Sequence, residues 1–199
     1  MNKLKTCVQA VHYLLNQLGA TDKLKLVKLL FLADKLHLIR YGRTITGDTF
    51  YAMRKGPVGS VLSDVLTYSV TCDDEYLNPE EIEYCLENIS PNEFCNHERN
   101  RQECYYRAKN SNLEYEQLSE TDKDVINEIF KKFGSMKSGE LVDLVHKYPE
   151  WKKHEKDLLE GKTKRAYIHL AEIFSTIPND PLGIPPEIVQ YSKELFLGC

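Results

Sequence analysis

Three residues suited to acid–base or metal chemistry, Asp34, His37 and Asp48, lie close together in the sequence. Asp34 has apolar neighbours at helical spacing, and a carboxylate on an apolar face must be paired or its pKa rises. His37 follows one helical turn later, so these residues could form a metal-assisted catalytic group. Alternatively, Asp34 is a buried anchor that ties the helix to the following loop, which offers Arg43, Thr46 and Tyr51. The pattern favours the anchor, because so few ionisable residues are a weak indication of catalysis.

The cysteines offer a second possible chemistry, a zinc site. The chain has six cysteines and no CxxC pair, so reduced thiols are expected. Cys95, His97 and Cys104, with Cys85 as a fourth, are residue types that bind zinc. Structural zinc sites usually show tighter paired spacings, and thiols packed as small apolar groups explain the same residues. The sequence therefore predicts neither a metal nor a cofactor.

The catalytic motifs with the clearest sequence signatures are absent. The chain contains no GxSxG, GxxxxGK[ST], GxGxxG or HExxH pattern. The glycine-rich stretch 56–59 is not a phosphate loop, although its backbone N–H groups at a helix start could bind an anion or an acidic side chain. These absences favour a protein that binds a partner over an enzyme.

The candidate residues depend on a central helix from Lys23 to Tyr41, which is capped by Thr21-Asp22 and ends at Gly42. It is apolar on most sides, which is typical of a helix inside a domain. Lys25, Lys28 and Lys35 share one narrow stripe, where we expect solvent or a partner to reach the helix. Charge interrupts the apolar run too often for a membrane span.

The segments around this helix show local start and stop signals. A first helix covers residues 3–18 and ends at Gly19. After the central helix we expect a turn at Thr46-Gly47-Asp48, a strand over 49–53, and a helix that Gly56-Pro57 opens with proline in its first position. No secretory signal is expected, because the first helix has no uninterrupted apolar centre, and we predict a cytoplasmic protein.

The C-terminal half is predicted to contain one hairpin and several helices. The hairpin pairs residues 93–96 with 103–108, and with the strand 49–53 it would complete one small antiparallel sheet. Helices are predicted over 79–86, 119–134, 138–146, 163–177 and 187–197. The pair 119–134 and 138–146 resembles a helix-turn-helix, but Glu140 and Asp143 lie where a DNA-recognition helix would carry basic or amide residues.

Charge is distributed unevenly along the chain. Residues 1–60 carry ten Lys and Arg against three Asp and Glu, a net charge of +7, and the remainder carries sixteen against twenty-seven, a net charge of −11. The basic segment 23–55 could meet an acidic protein or a phosphate backbone. It could equally face the chain's own acidic half. A DNA-binding regulator that used this segment would show steep salt dependence.

The central segment resembles the Panacea domain, also called the SocA-like antitoxin family. The resemblance covers most of residues 5–155 and includes a second block with Leu118-Ser119, Leu141, His146 and Trp151. The first block consists of Lys28-Leu29-Leu30, Leu32-Ala33-Asp34, Arg40-Tyr41-Gly42, Thr46-Gly47-Asp48 and Gly56-Pro57-Val58. The resemblance implies a mainly helical fold with a small sheet. It also implies a non-enzymatic bacterial or phage antitoxin that binds and neutralises a partner toxin protein.

We therefore predict a compact α+β domain, mainly α, around the central buried helix. The single domain spans 1–199, with an insertion over 71–110 and a C-terminal helical extension over 163–199. The charge asymmetry and loop positions predict a partner contact surface of Arg43, Thr46, Asp48, Tyr51, Arg54, Lys55 and Pro57. The predicted structural positions are Asp34, His37, Tyr41, Gly47, Gly56, His146 and Trp151. The toxin, the oligomeric state and the neutralisation mechanism stay open.

Overall fold

A computed structural model describes residues 2–71, 78–96 and 101–198, and the side chains of 68–71, 92–96 and 101–104 are not described. It confirms the predicted class, which is mainly α with small antiparallel sheets. The helices are α1 (Lys3–Leu18), α2 (Lys23–Tyr41), α3 (Ser60–Thr71), α4 (Pro79–Asn88), α5 (Glu120–Phe133), α6 (Ser138–Val145), α7 (Pro149–Lys152), α8 (Glu155–Leu159), α9 (Leu170–Ile173) and α10 (Pro186–Leu197). The strands are β1 (Thr21–Asp22), β2 (Phe50–Met53), β3 (Gly56–Gly59), β4 (Ile89–Asn96), β5 (Arg101–Ala108) and β6 (Arg165–Ile168).

Helix α2 is the centre of the fold, as the apolar pattern predicts. Every residue from Leu26 to Ile39 is buried. The Asp22 carboxylate accepts a hydrogen bond from the Lys25 backbone N–H at 3.0 Å and so caps the N-terminus. Gly42 ends the helix in the left-handed region with φ 70°. Helices α1, α3, α5 and α6 pack against α2 or its neighbours, so residues from both halves of the chain share one core.

The strands of the described residues form two three-stranded antiparallel sheets, in the orders β1-β5-β4 and β3-β2-β6. The hairpin is confirmed as β4 and β5. The prediction that it joins the strand 49–53 in one sheet is wrong, because the hairpin pairs instead with Thr21–Asp22. Strand β2 takes its partners from β3, after a tight turn at Arg54-Lys55, and from β6.

The predicted helix start at Gly56-Pro57 is wrong, since these residues belong to strand β3. Pro57 pairs with Ala52, and β3 lies at the edge of its sheet. An edge strand tolerates the missing N–H of proline, so the residue that favours a helix start also fits here. Gly56 has φ 100°, a conformation that glycine adopts without strain. The helix itself begins at Ser60.

The predicted helix over 163–177 is also wrong in its first half. Residues 165–168 form strand β6 on the free edge of β2, and only Leu170–Ile173 are helical. Ile168 faces the core, while Arg165 and Tyr167 face outward. In so short a segment, this alternation does not distinguish a strand from a helix in the sequence. The final helix, α10, packs through Val189 and leaves large apolar side chains exposed, namely Ile188, Tyr191, Leu195 and Leu197.

Candidate functional site

Asp34 ties α2 to the loop that follows it. Its Oδ1 accepts a hydrogen bond from the Thr46 backbone N–H at 2.9 Å, and its Oδ2 accepts one from the Thr46 hydroxyl at 2.7 Å. The same hydroxyl accepts a hydrogen bond from the Asp48 N–H at 3.2 Å. The Asp34 carboxyl is fully buried, so it holds the loop from inside the core rather than facing a substrate.

Burial makes Asp34 sensitive to pH. Loss of solvent raises the pKa of this carboxyl to about 7, although the hydrogen bonds from Thr46 oppose the shift. The folded state therefore holds a proton that the unfolded chain releases near its ordinary pKa of 3.8. The stabilisation linked to this proton is complete below that value and is lost as the pH rises through about 7.

We expect Asp34→Asn to remove this pH dependence. Between pH 5 and pH 8 the free energy of unfolding of the natural chain should fall, relative to that of Asp34→Asn, by on the order of 2 kcal/mol. Urea unfolding of both proteins at the two pH values measures the difference, and comparison of the two proteins cancels the titration of other groups. A constant difference across this range would show that Asp34 ionises normally in the fold.

His37 does not pair with Asp34. Its Nε2 lies 2.9 Å from Asp122 Oδ1, and its Nδ1 lies 2.8 Å from the backbone carbonyl oxygen of Arg43. The Arg43 guanidinium also contacts Asp122, at 2.9 Å. Burial of Asp122 raises its pKa, but hydrogen bonds from His37 and Ser119 and the charge of Arg43 outweigh this and hold the pKa at about 2. His37 thus joins α2 to α5, while the ring of Tyr41 packs beside it at 4.6 Å.

Asp48 caps helix α3. Its carboxylate oxygens accept hydrogen bonds from the N–H groups of Val61 at 3.0 Å and Leu62 at 2.9 Å, and from the Ser60 hydroxyl at 3.2 Å. Asp34, His37 and Asp48 therefore each bond a different part of the fold, and the structure does not bring them together as a catalytic group. Within the part of the chain that the structure describes, no three His, Cys, Asp or Glu side chains are placed to hold a metal.

Most residues of the zinc alternative lie outside the part of the chain that the structure describes. His97 and the side chains of Cys95 and Cys104 are not described. Cys85 is described; it is a buried free thiol, and burial raises its pKa to about 12.

The predicted accessible lysine stripe on α2 is wrong. Lys28 and Lys35 are 2% and 0% exposed, and only Lys25 is partly accessible. Lys35 Nζ donates to Glu150 at 2.8 Å, to the Ile173 carbonyl at 2.7 Å and to the Ser175 hydroxyl at 2.9 Å. Segments between Pro149 and Ser175 cover the helix at Lys35. The charge pattern of α2 alone could not predict this cover, because these segments are distant in the sequence.

Several cations of the basic segment pair with the chain's acidic half. The pairs are Lys35 with Glu150, Arg40 with Glu128 at 2.6 Å, and Arg43 with Asp122. The acidic residues lie on α5 and α7, which pack beside α2. These contacts offset part of the basic charge of segment 23–55 and leave less of it available for a phosphate backbone.

The outer side of the sheet β3-β2-β6 is exposed, basic and aromatic. We call Tyr51, Met53, Arg54, Lys55, Arg165 and Tyr167 the basic-aromatic face. The Arg165 guanidinium lies 4.9 Å from the centre of the Tyr51 ring, and Tyr51 and Tyr167 pack edge to face at 5.8 Å. Arg54 and Lys55, in the β2–β3 turn, are exposed and form no ion pair with a described residue.

The predicted contact residues divide into two groups. Arg43, Arg54 and Lys55 are exposed, and Tyr51 is partly exposed. Thr46, Asp48 and Pro57 are buried; the hydrogen bonds of Thr46 and Asp48 and the edge pairing of Pro57 hold them inside. Arg165 and Tyr167 were missed, because residues 163–177 were predicted to be helical. The alternation over residues 165–168 is too short to distinguish a strand from a helix in the sequence.

Three of the remaining predicted structural positions, Gly56, His146 and Trp151, lie where α6 and α7 meet the sheet. Trp151 is fully buried, and its Nε1 donates to the Met53 carbonyl at 2.8 Å. His146 stacks on the Trp151 ring with 3.5 Å between the ring centres. Gly56 leaves no room for a side chain, because a Cβ would lie 2.7 Å from a Val145 methyl group. Gly47 has φ 62°, a conformation that suits the turn.

The fold and the site define a mainly helical α+β domain with buried polar anchors and an exposed basic-aromatic face. The chain belongs to the family described as antitoxin SocA-like, Panacea domain, whose family model matches residues 26–152. Searches of curated proteins and of solved structures found no significant match. Of the helices in the described ranges, none combines the length and the apolar character needed to cross a membrane.

Proposed function

We propose that the protein is an antitoxin that binds a partner toxin protein directly and holds it inactive. The observation that carries the proposal is the family match over residues 26–152, because the family is described as antitoxin SocA-like. The internal use of Asp34, His37 and Asp48 supports a binding function over catalysis. We place the protein in the cytoplasm of a bacterial host or of a phage-infected cell.

The basic-aromatic face is the contact surface that we propose. Tyrosine and arginine are enriched among residues that dominate binding energy at protein interfaces. Tyr51, Arg165 and Tyr167 hold one another in place, so little side-chain freedom is lost when a partner binds. Arg54 and Lys55, which form no ion pair with a described residue, would steer an acidic partner surface toward it.

We propose that the whole chain acts as one domain rather than as the matched segment alone. Strand β6 lies beyond residue 152 and completes the sheet that carries the basic-aromatic face. Helix α1 lies before residue 26 and contributes to the same core. Partner binding should therefore be measured with residues 1–199.

The first test is capture of the tagged chain from its native host at low and at high salt. Under the proposal, one near-stoichiometric protein is retained at high salt, is toxic when it is expressed alone, and loses its toxicity when this chain is co-expressed. Nucleic acid that is lost at high salt would instead indicate a DNA-binding regulator. Absence of any toxic partner would contradict the antitoxin function.

Charge reversal of the turn should weaken the complex. We expect Arg54→Glu together with Lys55→Glu to lower affinity for the captured partner by at least about tenfold, because two steering cations become repulsive. Lys109→Glu together with Lys131→Glu is the matched control: both residues are exposed, lie outside this face and change the net charge equally. Equal affinity of the two variants in surface plasmon resonance, with unchanged circular dichroism, would remove this face from the interface.

A further inference from the structure

Beside the basic-aromatic face lies a cavity of about 430 Å³ between the start of α2, the β2–β3 turn and the start of α3. Four cations line it, and apolar side chains, Leu24 and Val27 among them, form much of the remaining wall. The cations are Lys23, Lys28, Arg54 and Lys55. Asp and Glu are absent from its lining. The cavity therefore combines concentrated positive charge with an apolar wall.

Lys28 is the unusual residue of this cavity, and Lys35 on the same helix shows why. Each ammonium group has three N–H donors. Lys35 uses all of its donors on Glu150, Ile173 and Ser175. Lys28 is almost as deeply buried, yet its one hydrogen bond to a described residue runs to the Pro57 carbonyl at 2.6 Å. Two donors of Lys28 therefore remain for a bound group.

Gly56 leaves room for the Lys28 ammonium beneath the β2–β3 turn. A Cβ at this glycine would lie 3.2 Å from Lys28 Nζ and 2.7 Å from a methyl group of Val145. Glycine thus lets the β2–β3 turn close over the lysine tip, and Lys55 in the same turn adds a second cation. Lys28 and Lys55 form no ion pair with a described residue, whereas Lys23 donates hydrogen bonds to the Ser63 carbonyl at 2.9 Å and the Thr67 hydroxyl at 2.6 Å.

The energetics of Lys28 agree with an anion site. Burial, and then the nearby charge of Lys55, lower the pKa of Lys28 to about 7. A buried ammonium without a counter-ion is costly, and an anion that enters the cavity relieves this cost. The apolar wall makes a strongly hydrated phosphate a poor fit. A carboxylate on a hydrocarbon chain satisfies both the charge and the wall.

We propose that this cavity binds a carboxylate on an apolar stem, presented by the partner protein as a glutamate side chain or as an apolar C-terminal residue. The proposal rests on the proposed antitoxin function and names the chemistry of its partner. Lys28 would contact the carboxylate, Lys55 would guide it in, and Leu24 and Val27 would pack against the stem.

The site can be tested on the free chain with hexanoate, a carboxylate on an apolar stem, and with inorganic phosphate. We expect hexanoate to shift the amide NMR signals of Gly56 and Ser63, and to bind more tightly than phosphate. Lys28→Met should weaken hexanoate binding by at least about tenfold, and the control Lys131→Met should not. If Lys28→Met does not fold, the exposed rim variant Lys55→Met must show a smaller weakening. Unaltered affinity in these variants, or tighter binding of phosphate, would overturn the proposal.

The pH dependence of hexanoate binding separates a direct contact from a structural role. Affinity in the natural chain should fall more than about fivefold from pH 6 to pH 8.5, because uncharged Lys28 no longer attracts the carboxylate. Lys23, Arg54 and Lys55 face the same cavity, and His146, whose pKa is lowered by burial and in part by Lys28, lies nearby. His146→Gln should therefore retain the pH dependence, and loss of it in that variant would assign the effect to His146.

The captured partner then distinguishes the two proposals. Lys28→Met or Lys55→Met should lower partner affinity by at least about tenfold. If no toxic partner is captured, the proposed function fails, whatever hexanoate does. If a partner is captured and binds the natural chain and both variants equally, the antitoxin function holds and the carboxylate contact is wrong. Hexanoate binding that depends on Lys28, combined with unaltered partner binding, would assign the cavity to a free organic acid and overturn the partner assignment.

Discussion

Replacing Lys35 by methionine is expected to lower the free energy of unfolding by about 3–5 kcal/mol, because it leaves a buried carboxylate without its cation. Lys35 and Glu150 are both fully buried and lie 2.8 Å apart. When the lysine is absent, the hydrogen bond from the Ser175 hydroxyl is what remains to the Glu150 carboxylate among the described residues. Burial lowers the pKa of Lys35, and the charge and hydrogen bond of Glu150 oppose that shift, so the carboxylate favours the charged form of the lysine.

Urea unfolding of a double-mutant cycle measures this effect. Lys35→Met together with Glu150→Leu should recover most of the stability lost in Lys35→Met alone, since the double variant no longer buries the Glu150 carboxylate without its cation. Lys153→Met is the matched control, because Lys153 pairs with Glu172 at the surface and a surface pair contributes less than about 1 kcal/mol. If Lys35→Met and Lys153→Met cost the same, the buried pair is solvated in solution.

Replacing Asp48 by alanine should be nearly as damaging, with an expected loss of about 3 kcal/mol. An ordinary capping residue satisfies the donors at one helix end, but Asp48 is also buried and bonds the N–H of Thr49 at 2.6 Å. Its removal takes the carboxylate acceptor away from the N–H groups of the partly buried Val61 and the buried Leu62. The change should therefore loosen both α3 and the turn before β2.

Ser119→Ala is the control for Asp48→Ala, because Ser119 caps α5 in an exposed position and should cost about 1 kcal/mol. Hydrogen exchange locates the effect. The amides of Val61 and Leu62 should lose protection in Asp48→Ala, while the amides of α5 keep theirs. An equal loss of stability in the two variants would mean that Asp48 is no more than a surface cap.

Local signals in the sequence predicted most helices, because caps and stop residues act within one turn. Asp22 and Gly42 bound α2, and Ser119 begins α5, as their residue types predict. Proline was ambiguous. Pro57 fits the first turn of a helix and an edge strand equally well, and only the pairing with β2 decides between them.

The residues of the candidate site likewise divide into those whose contacts could be predicted from the sequence and those whose contacts could not. Burial of Asp34 and its bond to the following loop could be predicted, because a lone carboxylate among apolar helix neighbours requires a nearby donor. The partner of His37 could not, since Asp122 is distant in sequence. Nor could the outward position of Arg165 and Tyr167, which depends on β6 pairing with a strand more than a hundred residues earlier.

The sequence alone determined the central buried helix, the boundaries of most other helices, the hairpin and the family resemblance, because each depends on residue types within a short span. The tertiary structure decided how the strands form sheets, which lysines are buried, and which charges are paired. These depend on contacts between segments that are distant in the chain. Lys28 and Lys35 show the difference: they lie seven residues apart on the same helix face, yet one is paired with Glu150 and the other lines a cavity.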